Sequence, residues 1–340
     1  MKNVKKKKKK RLITILIVEI TIVLLLFIGY QLYHSTLGKI QHDSSMDYAI
    51  DKNVNVKTAG YRNIVIFGVD SRENALEKST NSDTIIIASV NNKTKDVKLV
   101  SVYRDTYVNI PVRGYDKINA AYFTGGYSRA LTTLNKNFDL DLKEYVTVNF
   151  EAVVKAIDLL GGITIDVQDN EWHYLNGYVN ELNKINGTNV PHIKGPGTQV
   201  LNGTQATAYA RIRYTAGGDF KRTERQRLVI TKMFEKLKSS DIQTVNSFIK
   251  EVFPQVYTNL SSTEILGLAS DIMSYNIVEQ TGFPFEKDAH TYNRVSYVFP
   301  IDLSANVTKL HELLFGETAY DPSQTVKDNS AYIESIRTAK

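Results

Sequence analysis

A long apolar run near the N-terminus constrains the fold of this chain most strongly. Residues 12–30 contain a single charged side chain, Glu19, in roughly 19 positions, which is enough to span a bilayer as a helix. Seven lysines and Arg11 precede the run, and positive charge on that side favours a cytoplasmic N-terminus. We therefore expect a basic cytoplasmic tail over residues 1–11 and an uncleaved signal anchor over residues 12–30. A cleaved signal peptide is the alternative, although no clear small-x-small site follows the run.

The net positive charge of the chain comes from that tail. The 340 residues include 42 Lys and Arg against 36 Asp and Glu. Eight of these cations lie in residues 1–30, which leaves 34 cations against 35 acidic groups in the remainder. A nearly neutral domain without a recognition-helix motif does not favour nucleic-acid binding. The absence of cysteine excludes disulfides and cysteine-ligated zinc.

Three apolar runs after residue 60 predict the strands of a buried sheet. They span residues 63–69, 84–90 and 97–103 and are rich in β-branched side chains. The short turn at residues 91–96 predicts a hairpin between the second and third strands, and we expect the first strand to run antiparallel to the second. Strands interspersed with later helices predict an α/β fold, namely a single layered α-β-α sandwich with a mixed sheet flanked by helices.

Further segments complete the expected organisation. Residues 31–60 lack a strong period and predict an extracellular stalk before a domain of residues 61–316. Helices are expected from Ser128, over 149–160, from Asn202, over 223–237, and at about 241–253, 262–275 and 304–315. Residues 163–167 predict a strand, and residues 295–300 predict an edge strand. The polar segments 168–199 and 317–340 predict a surface loop and a loose C-terminal tail.

Charged side chains adjoin the three predicted strands. Asp70 follows the first strand, Asp83 precedes the second and Arg104 follows the third. In an antiparallel arrangement all three are expected at one edge of the sheet. Two close carboxylates raise one another's pKa unless a cation lies between them, and Mg²⁺ that holds a phosphate is a common occupant. The alternative is that each acid only solvates a strand end.

A cluster of arginines lies in residues 208–238. Residues 210–213 alternate like a strand and a helical pattern begins at Thr223, so we expect the cations where an extended segment meets a helix N-terminus. Such termini favour anions, and arginine forks suit phosphate. The cluster contains Arg211, Arg213, Lys221, Arg222, Arg225 and Arg227, with Asp219 among them. A solvated helix face with ion pairs to Glu224 is the alternative.

Seven motifs follow one another within residues 61–238. They are GVDSR (68–72), SDT (82–84), SVYRDTYV (101–108), DKINAAY (116–122), NFEAVVKAIDLLGGI (149–163), LNGTQATAYARIRY (201–214) and DFKRTERQR (219–227). Their order, together with the apolar run before them, resembles the LytR-CpsA-Psr family, and the full chain is most similar to the streptococcal or enterococcal LytR type. The sequence departs from the family at Tyr103, often Pro, and at Arg227, often Gln; neither change removes a phosphate or metal group.

The resemblance implies a membrane-anchored phosphotransferase of the Gram-positive cell wall. Such proteins move a teichoic acid or capsular polysaccharide from an undecaprenyl-diphosphate carrier to the muramic acid 6-hydroxyl of peptidoglycan, as a phosphodiester. It implies Mg²⁺ at Asp70 and Asp83, and catalytic roles for Arg104, Arg211 and Arg213. The diphosphate site that it implies consists of Arg72, Arg104, Lys117, Asn119, Arg211, Arg213, Arg222, Arg225 and Gln226. The helices at 149–160 and 223–238 are candidates for the prenyl channel.

Two other functions are compatible with parts of this pattern. A membrane-bound transcriptional regulator is a common label for LytR-type proteins, but the expected topology places the domain outside the cell. A protein that binds polyprenyl diphosphates without turnover would need the same residues. The group that accepts the proton of the acceptor hydroxyl is also open, with Asp105 and Asp219 as candidates. Expected partners are the lipid-linked donor, peptidoglycan and membrane lipid.

Overall fold

The computed structural model describes residues 41–42, 59–70, 76 and 80–339. The expected basic tail, the signal anchor at residues 12–30, most of the stalk and Arg72 lie outside those residues. In the described part of the chain, no helix has the length and apolar character needed to cross a bilayer. The anchor at residues 12–30 therefore stays a prediction from the sequence.

A mixed sheet of seven strands lies at the centre of the fold. The strands of the described residues are β1 (Gln41–His42), β2 (Tyr61–Val69), β3 (Ser82–Asn91), β4 (Asp96–Val102), β5 (Tyr107–Ile110), β6 (Gly114–Lys117), β7 (Glu144–Asn149), β8 (Ile163–Val167), β9 (Gly197–Leu201), β10 (Tyr257–Thr258), β11 (Asn276–Phe283), β12 (Lys287–Tyr292) and β13 (Val295–Pro300). The central sheet has the order β1-β10-β7-β2-β3-β4-β11, while β5–β6, β8–β9 and β12–β13 form separate two-stranded sheets.

The three strands expected from the apolar runs are adjacent and antiparallel, as predicted. β3 pairs with β2 on one side and with β4 on the other. The side chain of Asn91 closes the turn between β3 and β4, because its Oδ1 accepts hydrogen bonds from the backbone of Lys93 and Thr94 at 2.9 and 3.1 Å. Val69 lies opposite Ser82, so the end of β2 and the start of β3 share one end of the sheet.

The helices follow the sequence prediction in most places. They are α1 (Asn119–Phe138), α2 (Phe150–Leu159), α3 (Trp172–Asn186), α4 (Gly203–Ala210), α5 (Gly218–Lys238), α6 (Ile242–Val252), α7 (Ser262–Ser270), α8 (Leu303–Phe315) and α9 (Gln324–Thr338), with a short 3₁₀ helix at Phe253–Gln255. The helix expected from Ser128 begins at Asn119 instead and is kinked at Gly125 and Gly126. The helix expected over 262–275 ends at Ser270.

Alternate side chains of the strands face two different helical layers. Val65 and Phe67 of β2 lie in one buried cluster with residues of α1, α8 and α9. Ile64 and Ile66 face the opposite side, towards α2, α5, α6 and α7. The period of two in a strand places neighbouring residues on opposite faces, so a continuous apolar run is buried on both sides. The predicted mixed sheet flanked by helices is confirmed.

The expectation of a surface loop over residues 168–199 is wrong. Much of this segment is α3, whose Leu175, Val179 and Leu182 are buried in a cluster with β8, β9 and α4. Their spacing of four and three residues places them on one helical face. The remaining positions of α3 are mainly polar and aromatic, and this composition conceals the apolar stripe in the sequence.

The expectation of a loose C-terminal tail over residues 317–340 is also wrong. α9 begins after Ser323, whose hydroxyl caps it, and buries Val326 and Ile333 against the central core. Asn329 accepts a hydrogen bond from the Tyr115 hydroxyl at 2.8 Å. Two buried apolar residues seven positions apart, together with the contacts of Asn329, dock this mostly polar helix.

Residues 295–300 form a strand, as expected, but this strand is not part of the central sheet. β13 pairs with β12 in a separate hairpin. The edge of the central sheet next to β4 is formed by β11, which runs parallel to β4 and which the sequence did not predict.

Candidate functional site

The arginine-rich segment joins two helices. α4 ends at Ala210, and Arg211 is its C-cap residue. Gly217 and Gly218 have positive φ values of 91° and 49°, a conformation that glycine adopts at little cost, and α5 begins there. The expected strand at residues 210–213 and the expected helix start at Thr223 are therefore wrong. Arg222 and Arg225 lie in the second turn of α5.

An ion-pair cluster lies where β4 ends, β3 begins and α5 begins. Nη1 of Arg104 is 2.6 Å from Oδ1 of Asp83, and Nε of Arg104 is 3.6 Å from Oδ2 of Asp219. Lys117 binds Asp105 with its Nζ 2.9 Å from Oδ1. These contacts confirm that Asp83 and Arg104 meet at one end of the sheet. We call Asp83, Arg104, Asp105, Lys117, Arg213, Asp219 and Arg222 the central cluster.

Asp219 holds two further arginines of the central cluster. Its Oδ1 lies 2.9 Å from Nη2 of Arg222 and 3.8 Å from Nε of Arg213. Burial lowers the pKa of Arg222 to about 10; Asp219 opposes this shift, whereas the nearby cations Arg104 and Arg213 add to it. Nε of Arg222 is buried and has no hydrogen-bond partner among the described residues. An additional anion at this point would therefore stabilise the charged guanidinium.

Arg211 lies beside the central cluster in an aromatic environment. Its Nη2 is 2.8 Å from Oε1 of Glu181, and its guanidinium lies 5.3 Å from the ring centroids of both Phe150 and Tyr178. Glu181 and Tyr178 belong to α3, so sequence reasoning missed both residues when it treated residues 168–199 as a loop. The helical spacing of Leu175, Val179 and Leu182 is the signal that could have placed them.

An apolar cavity of ≈ 340 Å³ lies between the sheet and the helical layer that contains α2 and α5. Its lining is almost wholly apolar, and the helices that contribute most to it, α2 and α5, are those expected for a prenyl channel. The lining comes from β2, β3, β7, α2, α4, α5, α6 and α7 and from residues 253, 256 and 260. Oε1 of Gln226 in this lining is buried without a hydrogen-bond partner among the described residues.

The cavity ends at the charged side chains. Val69 and Thr84 line it, and their chain neighbours are Asp70 and Asp83. Phe150 also lines it, and this is the ring over which the Arg211 guanidinium lies. The apolar volume and the charged residues therefore adjoin at the ends of β2 and β3 and at Phe150.

The predicted metal ligands lie at the ends of neighbouring strands. Asp70 follows Val69, which pairs with Ser82, the residue before Asp83. Among the described residues there is no group of three or more His, Asp or Glu side chains that could hold a metal ion. Mg²⁺ commonly uses one or two carboxylates and completes its coordination with phosphate oxygens and water. The two aspartates fit a site of that kind, although Asp83 is paired with Arg104.

Arg225 has a different environment from the other predicted ligands. It is buried, and its Nε and Nη2 lie 2.9 and 2.8 Å from Oε1 of Glu171, also buried. Nη1 donates to the Ile212 carbonyl at 3.0 Å, and Nη2 donates to Thr215 Oγ1 at 2.6 Å. These contacts fasten the loop between α4 and α5 to the start of α3 and leave little of the guanidinium for a ligand.

Lys117 is the last residue of β6, and Asn119 is the first residue of α1. Lys117 belongs to the central cluster through Asp105. The backbone N–H of Asn119 donates to the Arg104 carbonyl at 3.2 Å, and the side chain is nearly buried. The ligand roles of these two residues stay predictions.

Comparison with known proteins identifies the family. The model of the LytR_cpsA_psr family matches residues 27–312. The chain belongs to this family. A TagU of Enterococcus faecalis, named polyisoprenyl-teichoic acid–peptidoglycan teichoic acid transferase, is 30% identical over 287 residues, which are 81% of this chain and 89% of that protein.

Solved structures of LytR_cpsA_psr proteins share the fold. TagT bound to LIIa-WTA superposes with a TM-score of 0.62 at 22% identity and covers 82% of this chain and 99% of that chain. TagT (YwtF) with bound octaprenyl pyrophosphate lipid has a TM-score of 0.57 at 21% identity and covers 83% of this chain and 98% of that chain.

The buried pair of Arg225 and Glu171 generates a stability prediction. Replacement of Arg225 by Ala leaves Glu171 as a buried, unpaired carboxylate, and we expect the free energy of unfolding to fall by about 3–5 kcal/mol. Arg213→Ala is the matched control, because its ion pair is long and partly exposed, with an expected loss below about 1 kcal/mol. Urea unfolding of the full-length protein in detergent, followed by Trp172 fluorescence, measures both values. A loss as small for Arg225→Ala as for the control would contradict the structural role.

Proposed function

We propose that this protein transfers an anionic cell-wall glycopolymer from a polyprenyl-diphosphate carrier to peptidoglycan. The observation that carries the proposal is that the apolar cavity adjoins charged residues at the ends of β2 and β3 and at Phe150. A polyprenyl diphosphate matches this arrangement, because its long apolar chain ends in a multiply charged group. The cavity suits the chain, and the arginines suit the diphosphate.

The relatives support this proposal. The enterococcal TagU is named as a teichoic acid transferase that acts on peptidoglycan, and TagT forms complexes with octaprenyl pyrophosphate lipid and with LIIa-WTA. A teichoic acid is therefore the polymer class best supported for this chain. A capsular polysaccharide has the same carrier chemistry and is the second polymer class.

The proposed reaction forms one phosphodiester and releases one lipid phosphate. The oxygen of the muramic acid 6-hydroxyl bonds to the phosphorus that carries the polymer, and the bond from that phosphorus to the bridging oxygen breaks. Polyprenyl phosphate leaves with the bridging oxygen, and the hydroxyl proton passes to a base. Phosphoryl transfer depends chiefly on positioning and on neutralisation of charge, which are the properties that a cluster of arginines supplies.

Arg211 and the arginines of the central cluster have distinct parts in this scheme. Arg104 lies at the end of β4 beside Asp83, and Arg222 is buried beside Asp219; these two arginines would bind the diphosphate. Arg213 and Arg211 are held by longer or more exposed contacts and would close on the bound substrate from the α4–α5 loop. Asp105 and Asp219 are the candidate acceptors of the hydroxyl proton, and each is paired with a cation.

We propose that Asp70 and Asp83 hold Mg²⁺ when the substrate is present. The ion would supply charge neutralisation for the diphosphate oxygens. Release of Asp83 from Arg104 would make the guanidinium available to the diphosphate at the same time. The support for this proposal is the position of the two carboxylates at neighbouring strand ends.

We propose that the protein is a single-pass membrane protein of a Gram-positive cell, with its catalytic domain outside. The support is the apolar run at residues 12–30 with its preceding lysines. In intact protoplasts, added protease should digest the domain at residues 61–316. Protection of that domain until the membrane is lysed would reverse the topology and favour the transcriptional alternative.

Removal of either of two arginines tests the transfer reaction. We expect Arg104→Ala and Arg211→Ala each to lower kcat/KM by more than about 100-fold, since each removes charge stabilisation from the transferred phosphate. The assay incubates the full-length protein in detergent with lipid-linked teichoic acid and peptidoglycan, and measures released polyprenyl phosphate and attached polymer. Arg113→Ala is the matched control, because Arg113 pairs with Asp116 on the β5–β6 hairpin and should retain activity. Undiminished transfer in both test variants would remove the arginines from the mechanism.

A substitution that fills part of the cavity tests, in the same assay, whether the cavity binds the prenyl chain of the donor. Val153 of α2 lines the cavity, and Val153→Phe would fill part of it. Donors with a long prenyl chain should lose affinity, whereas donors with a short chain should be little changed. Equal effects on both donors would contradict a role of the cavity in lipid binding. If the unmodified protein bound the donor but transferred no polymer, the alternative of a non-catalytic binding protein would be favoured.

Chelation tests the proposed metal. We expect transfer to be lost in EDTA and to return when Mg²⁺ is added in excess. Asp70→Asn should raise the Mg²⁺ concentration needed for half-maximal activity, because it removes one charged ligand without disturbing the pair of Arg104 and Asp83. Asp166→Asn, an exposed change on β8, is the matched control. Full activity in EDTA would contradict the assignment of both aspartates.

A further inference from the structure

A second pocket, of ≈ 610 Å³, lies next to the central cluster and is lined by polar and charged groups. Tyr103 at the end of β4 forms one wall, and Arg227 of α5 forms another. The segment between β11 and β12 and the exposed face of α8 complete it, with Lys287 and Lys309 as their cations. We call this volume the Arg227 pocket.

Arg227 is the residue that defines the chemistry of this pocket. The residue is only 7% exposed, and its Nη1 is buried. No hydrogen bond or ion pair joins its guanidinium to another residue in the part of the chain that the structure describes. Burial lowers the pKa of Arg227, and nearby Tyr103 and Glu224 oppose that shift. A buried, unpaired charge is costly, and an anionic ligand would remove that cost.

The other charges of the Arg227 pocket also favour an anion. Nζ of Lys287 lies 5.2 Å from the ring centroids of both Tyr103 and Phe220, and Nζ of Lys309 lies 5.1 Å from that of Phe285. The pocket also contains Glu224 and Glu286. Oε2 of Glu224 lies 2.6 Å from Nζ of Lys221, which neutralises this carboxylate. The cations of the pocket therefore outnumber the carboxylates that remain unpaired with Lys221. Cations set among aromatic rings suit a charged sugar, which has both apolar faces and anionic groups.

The Arg227 pocket and the central cluster share an aromatic wall. The rings of Tyr103 and Phe220 meet edge to face, with their centroids 4.7 Å apart. Arg104 is the next residue after Tyr103, and Asp219 is the residue before Phe220. The Arg227 pocket and the central cluster are therefore connected through consecutive residues of the chain at the end of β4 and in α5.

The fold fixes Tyr103 in this wall. Its backbone N–H donates to the Phe283 carbonyl at 2.9 Å. A Cβ placed on Gly282 would lie 2.1 Å from the Tyr103 hydroxyl oxygen, so β11 accommodates this ring because residue 282 has no side chain. The wall is therefore built by the pairing of β4 with β11.

We propose that the Arg227 pocket binds an anionic group, phosphate or carboxylate, of the glycan that takes part in the transfer. The identity of that glycan rests on the proposed function. Two sources have this chemistry, namely the phosphates of the donor polymer and the carboxylates of the peptidoglycan acceptor. In either case the pocket positions the glycan next to the diphosphate and selects for its charge.

A titration that needs no turnover tests this pocket. Full-length protein in detergent is titrated with glycerol phosphate oligomers, which represent the donor, and with glycan–peptide fragments of peptidoglycan, which represent the acceptor. We expect Arg227→Gln to weaken binding of one probe by about tenfold or more, which is the loss typical of a charge-assisted hydrogen bond. The affected probe identifies the source. Arg113→Gln is the matched control and should bind both probes normally, and an uncharged oligosaccharide of equal length should not distinguish the variants.

Thermal stability provides a second readout. In the absence of ligand, Arg227→Gln should have a higher melting temperature than the unmodified protein, because it removes an unpaired buried charge. Arg227→Lys should retain part of the binding. Unchanged affinity of Arg227→Gln for both anionic probes would overturn the inference, and a lowered melting temperature with unchanged affinity would identify Arg227 as a structural residue. A protein that binds a probe through Arg227 but transfers no polymer would overturn the proposed function alone.

Discussion

The antiparallel register of β2, β3 and β4 is the constraint on which the site depends. It places Val69 opposite Ser82 and Ile86 opposite Ser101, and these pairings bring Asp83 to Arg104. A slip of one residue would turn every side chain to the other face. The buried apolar residues of the three strands therefore specify the position of the charged residues, because both depend on the same alternation. The core and the site cannot be changed independently along these strands.

The central cluster is held together by its own counter-ions before any substrate binds. Four cations and three carboxylates are packed at the strand ends, with Asp219 in contact with Arg222, Arg213 and Arg104. Such pairing reduces the repulsion among the guanidinium groups. It also means that a ligand must compete with carboxylates already in place. A single phosphate competes poorly, whereas a diphosphate with several oxygens, or a diphosphate with a metal ion, can replace several contacts together.

The sequence predicted those parts of the fold that have a long or complete local signal. The three apolar runs predicted adjacent antiparallel strands, and Asn149 and Asn202 predicted helix starts at which both side chains cap. The predictions failed where the signal was short or mixed. Four alternating residues from 210 to 213 cannot distinguish a strand from a helix end. In α3 and α9, two or three apolar residues carry the packing, and the polar residues between them resemble a loop.

The sequence predicted which residues form the candidate site better than it predicted their contacts. Motif order selected Arg104, Lys117, Arg213 and Arg222, and the structure brings them together. Motif order gave no indication that Arg225 pairs with Glu171. Arg225 lies in α5 and Glu171 precedes α3, so the two residues are distant in the sequence. The Arg227 pocket was equally inaccessible from the sequence. Tyr103 and Arg227 were noted as departures from the family pattern, but only the pairing of β4 with β11 gives them a common volume.

The two faces of the central sheet differ in how densely they are packed. One face is filled by α1, α8 and α9 in a continuous apolar core, whereas the other encloses the apolar cavity. Empty apolar volume forfeits packing contacts, so the cavity face contributes less to folding per residue. The C-terminal helix α9, which packs on the sheet face opposite the cavity, is thus part of what allows the other face to stay hollow. Binding capacity on one side of the sheet is maintained by tight packing on the other.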